Sequence, residues 1–350
     1  MRCSNAAVGQ TCFLLACLFT AVNTLALTSP RPTLSNAFAS SRLVNTTTLD
    51  ATIDPRFGFM AKYGETNLPL TPCFMNVVEL LAQYAELDWL SKVRQRHGVV
   101  LPAYPQVEIA VLPAAPANSV EVRLVVWGIW VGIRDIVTRN SFHEAEFDVL
   151  WDREVVAYIY FTKPMDLQVT GSNGTLGTDE PLTLLPSPNE TTGGILVNAN
   201  STESSSDALN EGRFNWRPLF PPDAKTLTVV EVFLTVMAGL KNAAPHPASE
   251  KVPGPYASAA IDVYANLQFY LHKRRIPRTK PPFFQYIHVI KSLRMVPGYM
   301  LEKKRFSEIF YAMEVSGIPV GEGYLKKGHY APPRFVLGDM LGPKDNVSIS

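Results

Sequence analysis

Between Thr162 and Arg213 the chain carries no aromatic residue, although a tenth of its 350 residues are Phe, Trp or Tyr, so about five would fall there by chance. Such a stretch cannot supply a hydrophobic core, and whatever folds must fold on either side of it. It also holds Gly171-Ser172-Asn173-Gly174, the run Ser201-Thr202-Glu203-Ser204-Ser205-Ser206, and Pro181, Pro186 and Pro188. That is the composition of a spacer. Residues 165–210 are therefore read as a flexible linker between two folded blocks, 54–164 and 211–328. The Ser/Thr/Asn/Pro-rich residues 27–53 read as a disordered N-terminus and 329–350 as a C-terminal tail.

The two blocks repeat one pattern, which points to an internal duplication. Each opens with Arg-Phe, at Arg56-Phe57-Gly58-Phe59 and at Arg213-Phe214-Asn215-Trp216, with aromatics two apart on one strand face. An apolar helix follows, around Val77, Val78, Leu80 and Leu81 in the first block and Val229, Val230, Val232 and Phe233 in the second. Next an alternating strand is expected at Val107, Ile109 and Val111, answered by Ile261, Val263 and Ala265. A second helix has its stripe at Val126, Ile129, Trp130, Ile133 and Val137, with Ser119 as N-cap. Its counterpart carries Tyr286, Val289, Ile290, Leu293 and Val296, with Pro281-Pro282 in the first turn.

A hairpin closes each block, with Ala145, Phe147, Val149 and Trp151 alternating against Glu144, Glu146 and Asp148. A constant offset of 164 matches Phe142 with Phe306, Glu144 with Glu308, Val156 with Val320, and Tyr160 with Tyr324. The fold expected is α+β: two similar lobes, each strand-helix-strand-helix-strand-strand, with helices packed on mixed or antiparallel sheets.

The first 26 residues read as a secretory signal peptide: Arg2, the apolar run Phe13 to Phe19, then small residues up to Ala26. Five Asn-x-Ser/Thr sequons, at Asn45, Asn173, Asn189, Asn200 and Asn346, suit a chain that enters the secretory pathway. With the signal removed, Cys73 remains alone among four cysteines, so no intramolecular disulfide can form. Beside Phe74-Met75 it reads as a small buried hydrophobe. Formal charges nearly cancel, at 32 basic against 31 acidic residues, which gives no field for nucleic acid or anionic lipid. The apolar run Leu227 to Leu240 is too short for a membrane span and contains Glu231.

Catalytic signatures are missing. The sequence has no Gly-x-Ser-x-Gly elbow, His-Glu-x-x-His pair, Gly-rich phosphate loop or Cys-x-x-Cys cluster, and its six histidines lack helical metal-ligand spacing. Neither a metal nor a cofactor is expected. Glu144 and Glu146 on one strand face are the candidate acids of a glycosidase pair, against the plainer reading of a solvent-facing strand surface. His272-Lys273-Arg274-Arg275 is either a solvated basic loop or a processing site. Of the five tryptophans, Trp130 and Trp151 lie on apolar stripes, which leaves Trp127 and Trp216 as candidate exposed binding aromatics. Gly128 and Gly132, one helical turn apart, imply that something approaches that helix face closely, either the same core or a partner.

The segments Pro72-Cys73-Phe74-Met75-Asn76-Val77-Val78-Glu79-Leu80, Val107 to Val111, Val126-Trp127-Gly128-Ile129-Trp130 and Leu150-Trp151-Asp152 resemble uncharacterised secreted proteins of filamentous ascomycete fungi. The resemblance implies an extracellular protein and brings no activity, cofactor or catalytic residue. It also implies a glycine after the Trp-Asp pair, where this chain has Arg153. The function expected is a secreted, N-glycosylated, non-enzymatic protein that binds a glycan or protein ligand through the groove or surface between its lobes. The alternative is a secreted hydrolase of cell-wall polysaccharide.

Overall fold

The computed structural model describes residues 41–44, 52–164, 213–259, 267–273 and 281–328. The first lobe contains β1 (Ser41–Leu43), β2 (Phe57–Asn67), α1 (Leu70–Ala85), β3 (Lys92–Val93), β4 (His97–Val99), β5 (Glu108–Pro113), β6 (Val120–Glu121), α2 (Val122–Thr138), β7 (His143–Trp151) and β8 (Glu154–Thr162). The second contains β9 (Phe214–Leu219), α3 (Val229–Ala243), β10 (Tyr256–Ala259), β11 (Leu267–Lys273), α4 (Tyr286–Glu302), β12 (Ile309–Val315) and β13 (Ile318–Lys327). In the first lobe the main sheet runs β1-β2-β7-β8-β5-β4, and in the second β10-β11-β13-β12-β9. Every pairing between these strands is antiparallel.

The lobes share one connectivity. Reading the second sheet from its other edge gives β9-β12-β13-β11-β10, the order of β2-β7-β8-β5-β4. The agreement reaches individual residues. Ala145 pairs with Phe161 as Ile309 pairs with Leu325, and the bulge between Val149 and Leu150 recurs between Met313 and Glu314, all at the offset of 164. Both hairpins turn on two left-handed residues, Asp152-Arg153 and Ser316-Gly317. The Asp152-Arg153 turn is thus made without the glycine that the resemblance implied, because the right-handed twist of the flanking strands selects two positive φ angles whatever residues stand there. Glu144 accepts the Lys163 backbone N–H at 3.3 Å, and Glu308 accepts that of Lys327 at 2.8 Å.

Close packing explains the helical glycines. A Cβ at Gly128 would lie 2.6 Å from Ile159 and 2.8 Å from Val149, and one at Gly132 would meet the Phe147 ring at 3.0 Å. The close neighbour is the lobe's own sheet. At the matching places in α4 stand Ser292 and Val296, and the second lobe makes its room on a strand instead, where Gly323 lies against the Tyr311 ring.

The four helices of the described residues pack on one another between the two sheets. α1 packs on α3 and α4, and α2 packs on α3, so each sheet covers the outer side of a shared helical layer. Phe74 of α1 stacks on Phe233 of α3 with centroids 4.9 Å apart. Arg294 of α4 reaches across to Glu79 of α1 at 2.7 Å. A helix sandwiched in this way is buried on nearly every side, which is why α2 has no solvent face for Trp127 to occupy.

Several expectations are corrected. Ser41–Leu43 lies within the segment read as disordered, yet it forms the edge strand β1 against β2. Each lobe has a short additional strand, β4 or β10, that was not expected. Leu267, Phe269 and Leu271 lie on the strand that pairs with β13, and the strand expected at Ile261, Val263 and Ala265 falls outside the described residues. The N-cap of α2 is Glu121, since Val120–Glu121 is drawn into a ladder with β3 beyond Ser119. Pro281-Pro282 precedes α4, whose N-cap is Gln285. The signal segment, the linker 165–210, the tail from residue 329, Arg274-Arg275 and all five sequon asparagines lie outside the described residues.

Candidate functional site

An open groove of about 1280 Å³ lies where the two lobes meet. Its first wall is the loop after α1. Glu86 caps that helix, and Asp88 then closes a tight turn by accepting the Leu90 backbone N–H at 2.8 Å. The Trp89 carbonyl accepts the Arg123 N–H, and the Trp89 ring meets Trp127 edge-on at 5.8 Å. With its backbone tied down, the loop holds Leu87 and Leu90 outward at 46% and 61% exposure, an apolar rim on the groove.

The opposite wall belongs to the second lobe. Pro245 ends α3, and the following loop is laced to the start of α4. Ile287 N–H donates to the Ala248 carbonyl at 2.8 Å, Tyr286 N–H to Glu250 at 3.0 Å, and the Gln285 amide to the Ser249 carbonyl at 2.6 Å. Pro247, Pro281, Pro282 and Phe283 complete this wall. Phe214 of β9 and Ser316 of the β12–β13 turn bring the second sheet to the same groove.

His288 is the buried titratable group of the site, at 7% exposure. Its ring lies parallel to Phe214 at 5.7 Å and to Phe284 at 6.3 Å. The Gln285 backbone N–H donates to Nδ1 at 3.1 Å, so the neutral ring carries its proton on Nε2. Burial, helped by the Lys291 charge, pushes its pKa down to about 4. The unfolded chain therefore takes up this proton first as pH falls from 6.5 toward 4, and stability is lost across that window. The expected loss is about 3 kcal/mol. Urea unfolding at pH 7 and pH 4.5 checks it: His288→Phe should remove that part of the pH dependence, and an unchanged dependence would refute the assignment.

The residues expected from the sequence fall elsewhere. Trp127, at 8% exposure, is wedged between Phe57 and Trp89 in the first core. Trp216, also at 8%, packs on Tyr299 and Tyr311 in the second. Neither is an exposed binding aromatic. The tryptophan that lines the groove is Trp89, half-buried beside Trp127, and in the sequence it stands between Leu87 and Leu90 just past a helix end. Glu146 is no solvent-facing acid: at 5% exposure it shares the Lys62 ammonium with Asp148, each pair at 2.9 Å. Glu144 accepts the backbone N–H of Lys163 just past β8, as Glu308 accepts that of Lys327 at the end of β13. Cys73 is buried at 1% exposure, which pushes its thiol up to about 12. Among the described residues no group of His, Cys, Asp and Glu side chains is placed to hold a metal ion, and no helix is long and apolar enough to cross a membrane.

No family model and no curated protein matches the chain. Among solved structures, the tandem DUF26 ectodomain of the Arabidopsis thaliana cysteine-rich receptor-like protein PDLP8 aligns over 77% of this chain and 97% of that chain, at 8% identity and a TM-score of 0.22. At that level of likeness neither fold nor function passes from one protein to the other.

Proposed function

We propose that the protein is a secreted, N-glycosylated binding protein without enzymatic activity, which takes its ligand in the groove between its lobes. The groove itself carries the reading. It draws on both copies of the duplicated unit, its walls are aromatic and proline-rich, its rim leaves two leucines in solvent, and its buried histidine is held neutral. The apolar N-terminal run and the five sequons support export, as does the resemblance to secreted ascomycete proteins. A hydrolase built on Glu144 and Glu146 would need them in the groove, and neither lines it.

The test is a groove plug. Ala248 lines the wall at intermediate exposure, so Ala248→Trp fills the space without entering the core. Protein recovered from the medium of a eukaryotic host should bind at least one member of a panel of peptides and cell-wall oligosaccharides, hydrolyse none, and lose at least tenfold in affinity on plugging. Turnover of any panel member, or binding that the plug leaves intact, would overturn the proposal.

A further inference from the structure

We infer that the second lobe carries a docking surface for an acidic polysaccharide, made by Lys225, Lys304, Arg305 and Lys326 at the C-terminal end of α4. It is separate from the groove. His288 lies at the start of that 17-residue helix, so about 25 Å of helix stands between the two places.

The duplication isolates these four cations. The N–H groups of Arg139, Asn140 and Ser141 donate to the Asp135, Val137 and Ile136 carbonyls, and at the end of α4 those of Lys303, Lys304 and Arg305 donate to Tyr299, Leu301 and Met300 in the same way. The pairing of Asn67 with His143 recurs as Thr226 with Ser307. One corner has therefore been built twice, and at the places of Lys225, Lys304, Arg305 and Lys326 the first lobe has Thr66, Asn140, Ser141 and Thr162. The fold does not need the charges. Lys304 even works against it, at φ 48, in the left-handed region where Asn140, at φ 50, is the better tolerated residue. Like charges gathered around such a position imply an anion from outside the chain.

The cations are also available. Lys303 pairs with Glu302 and Lys327 with Glu231, while the two Glu308 carboxylate oxygens accept the backbone N–H groups of Lys225 and Lys327. Lys225, Lys304, Arg305 and Lys326 are exposed and have no ion pair among the described residues; Asp223 is an exposed acid near Lys225 in the sequence.

The surroundings select among polyanions. Phe220 stacks on Tyr299 at 5.4 Å, the Arg305 guanidinium lies over Phe220 at 4.6 Å and the Lys303 ammonium over Tyr299 at 5.5 Å, which leaves no platform for stacked bases. Anionic lipid faces the cytoplasm, and the apolar N-terminal run with its sequons supports export, on which the choice of a polysaccharide rests. A chain of sugar carboxylates suits spread lysines, which act as point charges and impose no fixed geometry.

Affinity electrophoresis and calorimetry of the intact chain with polygalacturonate test the inference, with dextran, a DNA oligonucleotide and phosphatidylserine vesicles as the other arms. Saturable polygalacturonate binding at low salt is expected, lost as salt rises toward roughly 0.5 M, with dextran unbound. A variant carrying Lys225→Thr, Lys304→Asn and Arg305→Ser, the first lobe's own residues, should bind at least tenfold more weakly and unfold at no lower urea concentration. Removing three cations from the first lobe instead, by Lys92→Thr, Arg94→Asn and Arg153→Asn, should leave binding unchanged. Ala248→Trp should also leave it unchanged, which tells failure of the groove from failure of this surface. No polygalacturonate binding at low salt, binding that the triple variant at the α4 end leaves intact, an equal loss in the first-lobe variant or the groove plug, or tighter binding of the DNA or the vesicles would each overturn the inference.

Discussion

Gly323→Ala is expected to destabilise the protein by about 3 kcal/mol and Gly323→Val to prevent folding, since overpacking a closed core has nowhere to relax. Gly323 and Tyr311 are direct partners across β12 and β13. A Cβ at 323 would stand inside van der Waals contact with the Tyr311 ring. That ring is fully buried, with Trp216 at 5.2 Å and Phe269 at 6.1 Å, so it cannot swing away. The matching pair in the first lobe is Phe147 and Ile159. There Gly132 of the helix accommodates the large ring, and in the second lobe Gly323 of the strand does. Tyr311→Phe is expected to act in the opposite direction. The Tyr311 hydroxyl is buried without a hydrogen-bond partner among the described residues, and its removal should stabilise by about 1 kcal/mol. Urea unfolding of the single variants and of Gly323→Ala with Tyr311→Leu measures both claims. The double variant should recover part of the loss, and a Gly323→Ala within 0.5 kcal/mol of the parent, roughly the scatter of neutral surface changes, would refute the packing argument.

The duplication was legible because the hairpin and second helix of each lobe keep one spacing, so Glu144 and Glu308 could be matched by residue number before either carboxylate was seen to serve the same backbone position. Phase was harder. Leu267, Phe269 and Leu271 alternate, and only pairing with β13, some fifty residues later, fixes which face they bury. The burial of Trp127 escapes the sequence for a related reason. Stripe logic assumes one buried face per helix, whereas α2 is held between its sheet and α3. Glu146 and Asp148 alternate like solvent residues, but they sit on a central strand where Lys62 of β2 reaches over to pair with both. The groove left no mark in the sequence that could be read as a motif. Its walls come from the α1 loop, the β9 start, the α3 loop, the approach to α4 and a hairpin turn, and only the packing of one lobe on the other brings them together.

That packing has a measurable consequence: Phe74→Ala is expected to cost about 4 kcal/mol and to lower the stability of both lobes at once. Two modules strung on a spacer would unfold independently, as domains with small polar contacts do. Here α1 of the first lobe lies on both helices of the second, Phe74 is fully buried against Phe233, and the Glu79–Arg294 pair closes the same interface. Removing the Phe74 ring leaves a cavity shared by both cores, so one cooperative transition should persist and shift as a whole. Hydrogen exchange followed separately on β7 and on β12 would show equal losses of protection. Residues 41–164 and 213–328, expressed as separate chains, should each fail to give a stable monomer, because each exposes the apolar side of its helical layer. Produced together, they should form a one-to-one complex. Two resolved transitions in the intact chain, or a well-ordered monomer from either half alone, would show that the lobes fold as independent units and that the groove between them is not a fixed feature of the molecule.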